Sequence, residues 1–356
     1  MRKAEGLRRA AFPKPCLSQA EWVAILPLPV EREATNEPKA MQGRSAPPRA
    51  HRVAVVLVNY NSTRHTLECI ETIQQHSTGG PSYQIIVVDN ASREQERAAL
   101  EPLRSRPGVT LVFSRLNTGF SGGNMLGVAQ ADADYYYFLN NDCLLESDAL
   151  GVLTRYLDEH SDVGLASGLL RHEDGNPRRN FSYFPSLLRT VLGTGAARLL
   201  RPNLHPPKHG AIDEPLRVPV LAGCSMFVRA PVFESLGGFD TNHFLYCEEE
   251  DLARRFAGRG LAADLVPNAG FVHLGSMSTP SKAPYLREFH ISLLYYIEKH
   301  HGRLWRRLYT LALFFKLLGR SPGLAWFVLR GASMRHSLRH DQELLPPLPA
   351  APPPNS

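Results

Sequence analysis

Hydrophobic positions along the chain fall into short unbroken runs separated by stretches with helical spacing. Residues 53–58, 85–88, 109–113 and 135–139 are continuous apolar runs rich in β-branched and aromatic side chains, the pattern of strands covered on both faces. Between them, Leu67, Ile70 and Ile73 recur at helical spacing within residues 66–76. A charged helix is predicted over 93–104, and the glycine-rich loop 117–123 opens a helix over 124–131. This alternation of strand and helix predicts a parallel, doubly wound half-domain. A helix at 147–159 and a strand at 163–169 continue the pattern. Residues 171–216, rich in Pro, Arg and Gly, read as a mobile, substrate-facing excursion. Order resumes at 218–229, with a helix after Pro231, an acidic helix start at 248–251, and last strands near 263–266 and 270–273.

Charge divides the chain further. Residues 51–281 hold 20 basic against 25 acidic residues, whereas 282–339 hold 11 against 2, within a net charge of +6. An acidic body argues against a nucleic-acid groove, and the basic segment suits an anionic surface. Four regions follow: a loosely packed tail at 1–50, a catalytic body at 51–281, a basic amphipathic helical segment at 282–345, and a Pro-rich tail at 346–356. The first tail has a candidate short strand near 22–30, and Met41 is a candidate alternative start. No apolar run of about 7–15 residues precedes Pro13 and Pro15, so a signal peptide is not expected. The apolar run 308–318 is too short to cross a bilayer and contains Lys316. In the basic segment Arg303, Arg306 and Arg307 form a stripe against Leu304, Trp305, Leu308, Leu311 and Phe315, as in interfacial helices. Five scattered cysteines without paired spacing read as reduced thiols in the cytoplasm.

The candidate chemistry begins where the fourth run ends, at Leu139-Asn140-Asn141-Asp142. A carboxylate at the mouth of a parallel sheet stands where such folds hold ligands. It suits a hard divalent cation, which in turn suits a diphosphate. Asn61 and Asp89 close the first two strands, where amide and carboxylate groups can bond a base edge and ribose hydroxyls. The same residue types also simply end strands. Residues 117–124 set small side chains before a helix N-terminus, which favours anions. Arg178 and Arg179 lie in the excursion, within possible reach of a phosphate or in a solvated loop. Tyr135, Tyr136 and Tyr137 read as strand core.

The ordered set of motifs resembles the inverting family-2 glycosyltransferases of GT-A fold, in particular their rhamnosyltransferase-like branch. It comprises Val58-Asn59-Tyr60-Asn61, Val88-Asp89-Asn90-Ala91-Ser92, Asn117-Thr118-Gly119-Phe120-Ser121-Gly122-Gly123-Asn124 and Leu139-Asn140-Asn141-Asp142. Downstream it adds Gly223, Arg229, Gly238-Phe239-Asp240, Phe244-Leu245-Tyr246-Cys247-Glu248-Glu249-Glu250-Asp251-Leu252 and His273. The resemblance spans roughly residues 52–301. It implies an α/β fold with a mostly parallel central sheet, followed by a C-terminal helical segment. It further implies a nucleotide-diphospho-sugar donor (dTDP-, UDP- or GDP-linked) held by Asn61, Asp89, Asn90, Asn117, Asn140, Asn141 and Asp142.

Asp142 matches the last acid of the family's metal motif, with Asn140 in place of the first, and His273 matches a second ligand for Mg2+ or Mn2+. By position the catalytic base is Glu249, where the family more often has Asp, and Glu248 is its rival. Inverting transfer needs one base for the acceptor hydroxyl. The acidic run also suits a helix N-terminus on dipole grounds alone. A rhamnosyl donor and a cell-envelope glycan or lipid-linked acceptor follow by analogy, at an anionic membrane surface on the cytoplasmic face. A sugar-phosphate nucleotidylyltransferase and a non-catalytic nucleotide-sugar-binding protein are the alternatives. The first normally needs a glycine-rich basic loop after the first strand, where this chain has Asn59-Tyr60-Asn61.

Overall fold

A computed structural model describes residues 49–171, 177–178, 180–200, 202, 205–206, 212–275 and 282–346. These belong to a unit that begins at Arg49. The expected strand near 22–30, Arg179 and most of the Pro-rich tail lie outside the described residues.

In chain order the elements begin with β1 (His51–Asn59), α1 (Thr63–His76), β2 (Tyr83–Asn90), α2 (Glu94–Leu100), β3 (Val109–Ser114), α3 (Gly119–Val128) and β4 (Ala133–Leu139). There follow β5 (Cys143–Leu145), α4 (Ala149–Glu159), β6 (Val163–Arg171), β7 (Pro177–Arg178), β8 (Phe181–Ser182) and α5 (Leu187–Leu200). The last are β9 (Leu216–Val218), β10 (Val220–Leu221), β11 (Ser225–Arg229), α6 (Ala230–Ser235), α7 (Glu248–Ala257), β12 (Ala262–His273), α8 (Lys282–His301), α9 (Arg303–Leu318) and α10 (Pro322–Leu329).

The main sheet runs β3-β2-β1-β4-β11-β6-β12-β5. Its first four strands are all parallel, as the sequence predicts. The second half is mixed, because β11 enters antiparallel between β4 and β6, and β5 lies antiparallel to β12. Four of the seven pairings along this path are parallel. Continuous apolar strands need cover on both faces, and both faces are covered. Val53, Val55 and Leu57 meet Ile70, Ile73 and Leu153 on one side. Ala54 and Val56 meet Phe138, Phe233 and Phe256 on the other. A third cluster joins Tyr296 and Leu294 of α8 to Tyr309 and Leu313 of α9 and Val328 of α10.

Four expectations change. The loop before α3 is shorter than its glycines suggest, because the helix starts at Gly119 rather than residue 124. The two late strands are one strand, β12, with a register shift between Val266 and Phe271. Among its described residues, the excursion after residue 171 holds the short strands β7 and β8 and a helix, α5. In the basic stripe, Arg306 turns inward to Glu298 and the Ala332 carbonyl. The three tyrosines of β4 are core, as expected.

Gly119 shows why a glycine must open α3. Its φ is +72°, and a Cβ there would sit 2.0 Å from the Phe244 carbonyl oxygen. That same oxygen accepts the Phe120 N–H at 2.8 Å, which locks the start of α3 against the segment leading into α7. Gly119→Ala is therefore expected to cost about 2 kcal/mol or more in urea denaturation. Gly108→Ala is the control, because its φ is +74° but nothing lies within 4 Å; it should cost about 1 kcal/mol.

Candidate active site

The ends of β1, β2 and β4 are bound into one polar network around Asn59, which is fully buried. Its amide donates to Asp89 Oδ1 at 3.0 Å and Ser92 Oγ at 3.2 Å, and its Oδ1 accepts from Thr66 Oγ1 at 2.9 Å. Asn141 Nδ2 donates to Ser62 Oγ at 2.7 Å and Thr66 Oγ1 at 2.8 Å. Asp89 is also fully buried. Its second oxygen accepts the Ser92 N–H at 3.2 Å and lies 3.5 Å from Arg97 Nε. Burial raises its pKa against the pull of Ser92, Asn59 and Arg97.

Asn61 adopts φ +53° and accepts the Arg93 N–H at 2.8 Å. Asn90 bonds the Gly119 carbonyl at 2.9 Å and Asn117 Oδ1 at 3.1 Å, and accepts the Thr118 N–H at 3.0 Å. Asn61, Asp89, Asn90 and Asn117 thus share one sheet edge, each holding a turn in place. Asn59, the hub, is a residue the sequence reading quoted without a role. Its only signal was an amide at the end of an otherwise apolar run.

Beside this edge, β4, β5 and the end of β12 meet. The Asn140 N–H donates to the Cys224 carbonyl at 2.9 Å. Asp142 Oδ1 lies 3.0 Å from His273 Nε2, and Asn140 Nδ2 lies 3.5 Å from the same nitrogen. Asp142, Cys143 and His273 offer ligand atoms all within 4.8 Å of one another. Burial pushes the Cys143 thiol well above its ordinary pKa, and its sulfur faces the Cys224 carbonyl at 3.6 Å, so it remains a protonated, poor ligand. A carboxylate oxygen and an imidazole nitrogen remain; the carboxylate suits Mn2+ or Mg2+, and the imidazole favours the transition metal of the two, with water completing the shell. Burial acts to lower the His273 pKa, but the Asp142 hydrogen bond leads the effects that raise it overall. A proton on His273 competes with a cation there, so cation affinity drops as the solution becomes more acidic. Arg178, exposed in β7, is near enough for its charge to oppose that proton.

A second cluster, Asp240, His243 and Asp251, also has ligand atoms within 4.8 Å of one another. Lys299 Nζ already sits 2.7 Å from Asp240 and 2.6 Å from Asp251. Burial holds His243 neutral, with its pKa down to about 4. This cluster is a latch between α8 and α7.

Two non-glycine residues in the left-handed region, Tyr246 at φ +73° and Cys247 at φ +64°, turn the chain into α7. Such backbone persists only where packing enforces it. Here Gly119 closes on Phe244, and Ser292 Oγ donates to the Leu245 carbonyl at 2.8 Å. The acidic run then divides. Burial opposes ionisation of Asp251, but His300, Arg255 and Lys299 pull its pKa below the usual carboxylate range, at 2.8, 2.7 and 2.6 Å. Glu248, Glu249 and Glu250 have no ion pair of this kind among the described residues, and each has a buried carboxyl oxygen without a hydrogen bond. Burial, with neighbouring acids adding, raises Glu248 to about 8 and Glu249 well above its ordinary value. Burial raises Glu250 too, although it accepts Ser182 Oγ at 3.2 Å.

Gly223 and Cys224 connect these halves. A Cβ at Gly223 would lie 3.7–3.8 Å from the Glu249 carboxyl atoms. The next residue's carbonyl holds Asn140. Glu249 therefore borders the Asn140–Asp142 turn, whereas Glu248 feels Glu288 of α8 and perturbs Tyr246.

An N-acetylglucosaminyl-diphospho-decaprenol L-rhamnosyltransferase of Mycobacterium tuberculosis is 26% identical over 270 residues, covering 71% of this chain and 86% of its own. Rhamnosyltransferase WbbL of Escherichia coli is 25% identical over 234 residues, covering 62% and 83%. Among solved structures, GalNAc-T7, crystallised with UDP, GalNAc and Mn2+, superposes with a TM-score of 0.51 at 13% identity. It covers 80% of this chain and 58% of its own, a likeness of GT-A fold. The family model described as glycosyl transferase family 2 matches residues 54–237, just over half the chain. This chain is a glycosyltransferase and belongs to that family.

Proposed function

We propose that the protein transfers a sugar with inversion, rhamnose being the first candidate, from a nucleotide-diphospho-sugar to a lipid-linked or cell-envelope glycan acceptor. The donor nucleotide is dTDP, UDP or GDP, and the protein works peripherally at the cytoplasmic face of the membrane. The names of the mycobacterial and Escherichia coli relatives support the rhamnosyl donor, and the first of them supports a diphospho-lipid acceptor. The observation that carries the reading is the junction at Gly223-Cys224, which brings Glu249 beside the turn of Asn140 and Asp142.

Asp142 and His273 would hold Mg2+ or Mn2+, which when bound supplies positive charge to the departing nucleoside diphosphate. Glu249 takes the proton of the acceptor hydroxyl as that oxygen bonds the anomeric carbon. The bond from that carbon to the diphosphate breaks, and its electron pair leaves with the nucleotide. The base must be ionised to act, and burial disfavours the ionised form. Asn61, Asp89, Asn90, Asn117 and Asn141 shape the nucleotide side, with Asn59 fixing their register.

Asp142→Ala should abolish the Mn2+-dependent rise in melting temperature given by the nucleoside diphosphate and lower transfer about 100-fold or more. Glu249→Gln should lower transfer by about 10²–10⁴-fold and leave that thermal shift intact. Full activity in Glu249→Gln with loss in Glu248→Gln would reassign the base to Glu248.

The pH profile has a definite sign. A base with a raised pKa stays protonated to higher pH than an ordinary glutamate and gains activity as pH rises. At saturating Mn2+ and substrates, kcat should therefore still climb above the ordinary glutamate range near about 4.3. A plateau already reached by pH 5 would contradict a buried glutamate base.

A further inference from the structure

We propose that α9 lies flat on an anionic lipid surface, with Leu304, Leu308, Leu311, Phe315 and Leu318 seated among the acyl chains. The inference deepens the membrane location read above. The five residues recur at i, i+4, i+7, i+11 and i+14, one narrow stripe at about 100° per residue. They are 67, 41, 47, 69 and 39% exposed, while Tyr309 and Leu313 on the opposite side are buried. The stripe therefore faces away from the third core and spans about 21 Å at about 1.5 Å per residue. Continuous apolar exposure of this kind marks an interaction surface. Trp305 and Trp326 stand half-exposed nearby, a placement suited to the headgroup boundary.

Charge selects the occupant. From residue 303 to 320 there are five basic residues and no acid. Arg306 faces inward to Glu298, and Arg303 pairs with the same carboxylate, but Arg307, Lys316 and Arg320 stay at exposed positions. A second copy of the chain packed on this stripe would bring together two helices that are basic and carry no acid, which repel. Anionic headgroups complement them. Insertion stops at the interface, since no helix among the described residues is long and apolar enough to cross a membrane.

The test uses the full chain in flotation with phosphatidylcholine vesicles, with and without 25% phosphatidylglycerol. Binding should be at least about tenfold stronger with the anionic lipid. The double variant Leu308→Glu, Phe315→Glu should lose about tenfold or more. Arg307→Glu with Lys316→Glu should weaken binding to the anionic vesicles alone. Both variants should retain the thermal shift given by a nucleoside diphosphate with Mn2+, which shows that they are folded. Absence of vesicle binding by the parent, or undiminished binding by the leucine–phenylalanine variant, overturns the proposal. So does a concentration-dependent dimer that this variant dissociates, which gives the face to a second copy. Vesicle binding that persists while no donor sugar is transferred sustains this surface and sinks the function above.

Discussion

The backbone bond from Asn140 to the Cys224 carbonyl holds the two halves of this molecule in register. It stands where β11, antiparallel, meets the open end of the last parallel strand, β4. On one side of it lie the strand ends that hold Asp89 and Asn90. On the other, Gly223 abuts the carboxyl group of Glu249. A Cβ at residue 223 would touch that carboxyl at ordinary contact distance, and a shift of β11 by one residue would exchange its inward and outward faces. The site depends on a strand register, and that register depends on the packing of Phe227 and Met226 into the two cores.

Electrostatics then divides labour among four consecutive acids. Asp251 is held ionised by His300, Arg255 and Lys299, which joins the helical C-terminal segment to α7. The three glutamates before it are desolvated, each with a buried carboxyl oxygen that lacks a hydrogen bond, and desolvated carboxylates become stronger proton acceptors. One short helix thus carries both an anchor and carboxyls of raised basicity. The left-handed Tyr246 and Cys247 set where the division falls. The latch at Asp240, Lys299 and Asp251 extends this coupling to α8, and through the third core to α9.

Legibility in the sequence followed the range of the forces involved. The parallel half was readable because buried strands and amphipathic helices are local patterns, as in residues 53–58 and in Leu67, Ile70 and Ile73. The acid at Asp142 and the run from Glu248 were readable as strand-end and helix-start chemistry. β11 and β5 were not placed, because an antiparallel insertion is a long-range pairing without a period of its own. α3 began earlier than its glycines suggested, since Asn90, distant in sequence, satisfies the Thr118 amide. The role of Asn59 was hidden because its partners Asp89, Ser92 and Thr66 become neighbours only in the folded sheet. Arg306 looked like part of a cationic stripe until Glu298, one helix earlier, drew it inward.

The central claim is that one diphosphate pocket lies between the Asp142–His273 pair and Glu249. Anomalous diffraction from crystals grown with Mn2+ and a nucleoside diphosphate tests it most directly. The account predicts a manganese peak bonded to Asp142 and His273, with the diphosphate between that peak and the Glu249 carboxyl. A peak bound instead by Asp240 and His243, or a diphosphate on the far side of β11 from Glu249, would contradict it.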